Sequence, residues 1–204
     1  MTTVPPPPPE SPTPRLNAIF FVAALVVIAA IHFTSIPLTI WEYDEPLFAM
    51  AVEKYEPLIH QPPPPGYPLY IGLAKLLQPF LGSPFHTLIV ISAAATLLGF
   101  LFFFAAFRAV ARTTRVGIFG ALLFYASPAM LIHATLPQSD SGALALFALA
   151  MWLTVRAIDN PTAMNATLMA LACAVTIGWR VQFCIAVVFP RAAATRNDTR
   201  LPIS

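Results

Sequence analysis

Long apolar runs divided by short polar breaks leave this chain few ways to fold. Leu16–Ile36, Phe85–Phe107, Val116–His133, Gly142–Val155 with its flanks, and Ala163–Phe189 are all dominated by apolar residues. A helical run of ~20 such residues covers a hydrocarbon core about 30 Å thick and satisfies its own backbone hydrogen bonds. Of the 204 residues, 58% are hydrophobic and 10% charged, and the mean hydropathy is +0.74. A soluble domain carries roughly 25% charged residues. The expected fold class is therefore all-α: a polytopic integral membrane protein of about five transmembrane helices, with the lipid bilayer as its surroundings. The net charge is +2 and the arginines are scattered without a basic stripe, which argues against a nucleic-acid partner.

Residues 1–14 form a Pro-rich tail with no core to join. The first apolar run lacks a small-residue cleavage site close behind it and reads as an uncleaved anchor. Arg15, Arg108, Arg112, Arg115 and Arg156 fall on one side of the alternating runs. The positive-inside rule makes that side, and the N-terminus, cytoplasmic. Arg191, Arg196 and Arg200 obey the rule only if Gly178–Gln182 is the tip of a hairpin, and break it if Ala163–Phe189 crosses once; both arrangements stay open. Cys173 and Cys184, eleven residues apart in one run, lie ~16 Å apart along a helix, too far for a disulfide, and read as inert thiols. Gly99, Gly117 and Gly120 read as helix-packing positions. His32, His86 and His133 read as interfacial, and the Asn-x-Thr sequences at Asn165 and Asn197 as chance occurrences.

The polar chemistry is concentrated in the loop at 37–83. Trp41–Leu76 alone holds five carboxylates, one histidine and seven prolines. From Leu47 to Tyr55, the residues Leu47, Phe48, Ala51 and Tyr55 recur at helical spacing opposite Glu53, Lys54 and Glu56, which predicts a short amphipathic helix lying in the membrane interface. Pro62–Pro65 and Gly66 end it. Tyr67–Leu81 is apolar but, at about 22 Å of helix, too short to cross. It is expected to be a second interfacial helix, edged by Lys75 and Gln78.

Within this loop Asp44 and Glu45 stand where a lipid-phosphate headgroup sits. A carboxylate there can take a proton from an acceptor hydroxyl, or hold a divalent cation against a departing phosphate. Equally, the pair can cap the helix that follows, favoured by its dipole. Asp140, in "LPQSDSG", has the same two readings, with Ser139 as the alternative cap. Arg180 interrupts an apolar run, at a cost of roughly 2.5–3.5 kcal/mol near mid-helix. Gly178 permits a break that would let its guanidinium grip a phosphate; the other reading is an arginine snorkelling to the surface.

An acidic pair just after the first span, an amphipathic helix, and then "HQPPPPGYPLYIGLAKLLQPFLG" resemble the GT-C superfamily of polyprenol-dependent membrane glycosyltransferases, in particular the protein O-mannosyltransferases and lipid A aminoarabinose transferases. The resemblance covers about residues 15–190, with 191–204 a polar tail. It implies transfer of a sugar from a polyprenyl-phosphate donor to an acceptor on the extracytoplasmic face, in a membrane such as the bacterial inner membrane. It implies Asp44 as catalytic base with Glu45 as its partner, and a divalent cation, if one is used, at these two carboxylates. It further implies Asp140 as an acceptor- or metal-binding acid and Arg180 as a donor-phosphate ligand. Where the family carries Lys or Pro after the histidine, Gln61 stands here, which passes the phosphate contact to His60 or Lys75. Members of the superfamily generally run longer, so the resemblance also predicts a truncated or degenerate copy; the alternative function is a non-catalytic multi-pass membrane protein, such as a remnant or an assembly partner. A cysteine placed at position 44 is expected to react with an impermeant maleimide from the extracytoplasmic side. Labelling only from the cytosol, or none in intact or opened membranes, would remove this loop from the headgroup boundary.

Overall fold

The computed structural model describes residues 14–36, 39–40 and 42–185. The Pro-rich tail up to residue 13, and Arg191, Arg196, Asn197 and Arg200, lie outside the described residues. The described chain is helical, with no strand and a single antiparallel bridge between Glu56 and Gln61. The helices are α1 (Pro14–Thr34), α2 (Asp44–Glu53), α3 (Pro68–Leu81), α4 (Pro84–Ala111), α5 (Thr114–Tyr125), α6 (Pro128–His133), α7 (Asp140–Asp159) and α8 (Ala163–Trp179). Three stretches, Arg15–Thr34, Pro84–Ala111 and Asp140–Asp159, are long and apolar enough to cross a membrane. They point to a membrane-embedded protein. α5 and α8 are shorter apolar helices beside them.

α4 packs along α5 and α7, and α7 along α8; α1 lies at the margin against α4 and α5. Small residues make the central contact close: Ala143, Ala145, Ala148 and Ala150 of α7 are all buried. A Cβ added at Gly99 would strike the hydroxyl of Tyr125 and lie 3.3 Å from the Cβ of Ala145. Gly117 and Gly120 meet Phe104 and Phe107 in the same way, so all three glycines are packing positions. Lipid adds no hydrophobic drive between helices, so close backbone approach and dispersion do the work. α1 turns Ile19, Phe20, Val22, Val26, Val27 and Phe33 outward, as a helix facing lipid would.

The expected single helix over Val116–His133 is broken. Ser127 takes an extended backbone before Pro128, splitting the run into α5 and α6. The proline ring disfavours helical geometry in the residue before it and supplies no N–H. Both loop helices form as expected. α3, at 14 residues, is too short to cross, and its Lys75 and Gln78 stay at its edge, Gln78 bonding the carbonyl of Gly82 at 3.2 Å. In α2 the buried face is Glu45, Phe48, Ala51 and Val52, whereas Tyr55 lies beyond the helix end.

α1 runs opposite to α4, α7 runs in the same direction as α4, and the described charges separate onto the two ends of the bundle. Arg112 pairs with Asp159 at 2.5 Å, joining the C-terminal ends of α4 and α7. Leu16, Asn17 and Arg115 line one groove there, which brings the starts of α1 and α5 to the same end. The loop acids, Asp140 and Arg180 all lie at the other end. Cys173 and Cys184 are both thiols, the first buried and the second half-buried. His32 is buried against Tyr125 rather than interfacial. Asn165 is buried, its amide donating to the carbonyl of Asn160 at 2.8 Å.

Gly99→Ala should destabilise the protein by about 1–3 kcal/mol through overpacking against Tyr125. Gly72→Ala, with nothing within 4 Å of its new methyl, should be neutral or stabilising by roughly 0.5–1 kcal/mol. Unfolding of the two variants in detergent separates the predictions by sign.

Candidate functional site

The site is organised by a segment that is neither helix nor surface loop. Ala134–Ser139 enters the bundle, and all six residues are buried. Buried backbone groups need partners, and here the carbonyls are met from several directions. Thr96 of α4 donates to Ala134 O at 2.7 Å, and Ser92, one turn earlier, to Gln138 O at 3.2 Å. The indole N–H of Trp179, at the end of α8, donates to Ser139 O at 3.0 Å. Thr135 donates to Ser35 O at 3.2 Å, tying the segment to the end of α1. Gln138 reaches into the first loop, where its amide donates to Glu42 Oε2 at 2.5 Å.

This segment delivers Asp140 to the first position of α7, where its carboxylate pairs with Arg180. The side chains are 35% and 22% exposed, so the pair faces outward from a half-buried seat. Ser139 is the N-cap residue, but its hydroxyl caps nothing, and the carboxylate of Asp140 goes to Arg180. The capping role expected for either residue is not the one adopted. The break near Arg180 is also displaced from expectation. α8 runs through Gly178 and Trp179, and the chain turns extended at Arg180 itself. Gly178 instead admits Leu69, whose Cδ1 would lie 2.8 Å from an added Cβ.

An aromatic path fixes the surroundings of Arg180. Its guanidinium carbon lies 5.8 Å from the centre of the Tyr67 ring. Phe48 of α2 packs against Tyr67 at 5.2 Å and Tyr70 at 5.5 Å, and Tyr70 against Trp179 at 5.4 Å. Tyr67 holds a left-handed backbone, φ 44°, at the turn from Gly66 into α3. A non-glycine residue in that region costs of order 1–3 kcal/mol, which the surrounding packing must sustain. On either side of Asp140, Ser139 Oγ and Ser141 Oγ are buried without a hydrogen-bond partner among the described residues. Burial pushes the Tyr70 phenol well above its ordinary pKa, so it remains a neutral donor.

The two loop acids diverge. Neighbouring helix positions point roughly 100° apart. Asp44 is exposed, whereas Glu45 is fully buried and its Oε1 accepts from the backbone N–H of Glu42 at 3.3 Å. The N-cap residue of α2 is Tyr43, and both acids sit in the first turn, where the helix dipole favours them. A shared cation between them fits poorly, because one carboxylate points into the protein and the other out. No group of three or more His, Cys, Asp or Glu side chains able to hold a metal occurs among the described residues. Lys75 spans from α3 to the last turn of α2, its ammonium 3.5 Å from Glu53 O. His60 is exposed after the short 3-10 turn Pro57–Ile59. Neither Lys75 nor His60 bonds to Asp140 or Arg180, so of the expected phosphate ligands only Arg180 joins the Asp140 cluster.

Glu42, Gln138, Tyr67, Tyr70 and Trp179 complete the site and were not singled out from the sequence. Gln138 and Glu42 are 96 residues apart in the chain, and no local pattern links them. Trp179, beside Arg180, was the one visible hint. Comparison of the chain with protein-family models, curated proteins and solved structures gives no match.

Trp179→Phe keeps an aromatic ring but removes the N–H along with the five-membered ring that packs on Gly142, leaving Ser139 O without its indole donor. It should cost about 1–3 kcal/mol, the penalty of a buried group losing its partner. Detergent unfolding of Trp179→Phe beside wild type reads this directly, and an unchanged midpoint would show that the indole is not holding the segment.

Proposed function

We propose that the chain is the membrane module of a GT-C-like glycosyltransferase, which takes a sugar from a polyprenyl phosphate and passes it to an acceptor hydroxyl on the extracytoplasmic side. On this reading α1, α4, α5 with α6, α7 and α8 cross the membrane, α2 and α3 lie at its outer surface, and the N-terminus is cytoplasmic. The observation that carries the reading is the gathering of separate polar elements at one end of the bundle. There Asp140 pairs with Arg180, and Gln138 ties the same segment to Glu42 in the acidic loop. A purely structural loop would have little reason to seat a partly exposed carboxylate and guanidinium beside buried hydroxyls that lack partners.

The chemistry follows from exposure. Asp44, open to solvent, is the base: its carboxylate takes the acceptor's proton as the acceptor oxygen bonds to the anomeric carbon. The bond from that carbon to the lipid phosphate breaks, and the polyprenyl phosphate leaves with the electron pair. Arg180 has more N–H donors than Asp140 occupies, and those left over stabilise the charge growing on the departing phosphate. Lys75, exposed on the same loop, adds positive charge at that end of the bundle, and His60, exposed there too, offers a ring N–H to the phosphate. Glu45 acts through the backbone of Glu42 and positions the start of α2.

The pairing of Arg180 with Asp140 also favours a second reading, a non-catalytic membrane protein in which the pair is only a latch between α7 and α8. Reconstituted protein supplied with polyprenyl-phosphate hexose or pentose, with released polyprenyl phosphate read by mass spectrometry, separates the two. Asp44→Asn should lower release by about 10²–10⁴-fold, while Lys54→Gln leaves it unchanged. Release that does not respond to Asp44→Asn removes Asp44 from the mechanism, and absence of release from the wild type favours the latch.

A further inference from the structure

The opposite end of the bundle carries a cleft that the transfer chemistry does not use. It opens between the last turns of α4 and α7, with a volume of about 390 Å³, lined by Phe104, Ala105, Arg108, Ala109, Arg112 and Trp152. Arg156, one turn beyond Trp152, lays its guanidinium carbon 5.4 Å from the centre of the Trp152 ring. Arg112 is already paired with Asp159 at 2.5 Å. Arg108 is exposed, and neither it nor Arg156 forms an ion pair among the described residues.

We propose that this cleft binds the phosphodiester headgroup of an anionic phospholipid. Three arginines, Arg108, Arg112 and Arg156, lie near the C-terminal ends of α4 and α7, where Asp159 is the one carboxylate among the described residues of those two ends. The cleft lies where two of the helices long enough to cross a membrane end, which is headgroup depth for an embedded chain. Arg108 and Arg112 make its lining cationic toward the end of α4, and Phe104 and Ala105, about a turn earlier, make it apolar. That order matches a phospholipid, whose phosphate sits directly above its acyl chains. Trp152 supplies the aromatic ring that favours the same boundary. Basic pockets between membrane helices take acidic lipid headgroups on this physical basis. The proposal rests on the membrane embedding alone and stands apart from glycosyl transfer.

The test uses the full chain in nanodiscs that mix phosphatidylglycerol and phosphatidylcholine, with bound lipid read by native mass spectrometry after gentle release. Wild type should retain phosphatidylglycerol in preference. Arg108→Gln and Arg156→Gln should each weaken that preference about fivefold, and the double variant roughly 25-fold. Arg108→Lys with Arg156→Lys should keep most of it, and Lys54→Gln, at the far end, all of it. Should the double variant fail to fold, the single variants and the lipid preference of the wild type still decide. Equal retention of the two lipids by wild type, or an undiminished preference in the glutamine variants, overturns the proposal. So does displacement of the lipid by millimolar glycerol phosphate, which would show that the cleft reads a soluble phosphate ester.

Discussion

The fold depends on making a non-helical segment tolerable inside a helical bundle. Ala134–Ser139 is buried throughout, and each unmet carbonyl there would cost about 1–3 kcal/mol. Thr96, Ser92 and Trp179 meet three of those carbonyls from two different helices. Because the donors come from α4 and α8, the segment can be satisfied only when both helices are seated beside it. The packing of the bundle and the position of Asp140 are thus set by the same bonds. Non-helical backbone at depth is accepted in membrane proteins where protein buries it, and this segment meets that condition.

Three clusters of apolar contact divide the remaining work, the smallest of them, Ala150, Leu153, Ala172 and Cys173, joining α7 to α8. Near the buried segment, Phe48, Ala51, Tyr70, Ile71, Ala74, Leu88, Ala143 and Trp179 form one core that seats α2 and α3 on the ends of α4, α7 and α8. Further along the bundle, Phe100, Phe103, Ala121, Tyr125, Met130 and Ala148 form another, with Ile28 of α1 at its edge. The first core makes the loop helices part of the folded body rather than a tethered flap. Glu45 goes into that body with Phe48 and Val52 because it shares their face of α2, and Asp44 stays out because it does not. One helical step therefore gives two adjacent carboxylates different environments and, in the proposed chemistry, different tasks.

Charge is arranged with similar economy. Arg15, Arg108, Arg112, Arg115, Arg156 and Asp159 occupy one end, and the acids of the first loop, Asp140, Arg180 and the lysines occupy the other. The apolar helices between them carry no described charge along their middles. Desolvating an ion within hydrocarbon is costly, so charges survive only at the ends or in pairs. Arg180 satisfies both conditions, terminating α8 and meeting Asp140.

The sequence by itself determined the helical class, the three helices long and apolar enough to cross a membrane, the two short loop helices, and the packing role of Gly99, Gly117 and Gly120. Those features rest on hydropathy, on run length and on the absence of a side chain, which are local properties. It also carried the signal for the break before Pro128, although the apolar run around it concealed that signal. Only the tertiary structure decided that Ala134–Ser139 is buried, that Asp140 spends its charge on Arg180 rather than on capping, and that Glu42, Gln138, Tyr70 and Trp179 belong with them. Those outcomes depend on contacts between residues tens of positions apart, such as Ser139 with Trp179 and Glu42 with Gln138. Helical periodicity specifies which face of each helix is apolar, but not which neighbour that face will meet.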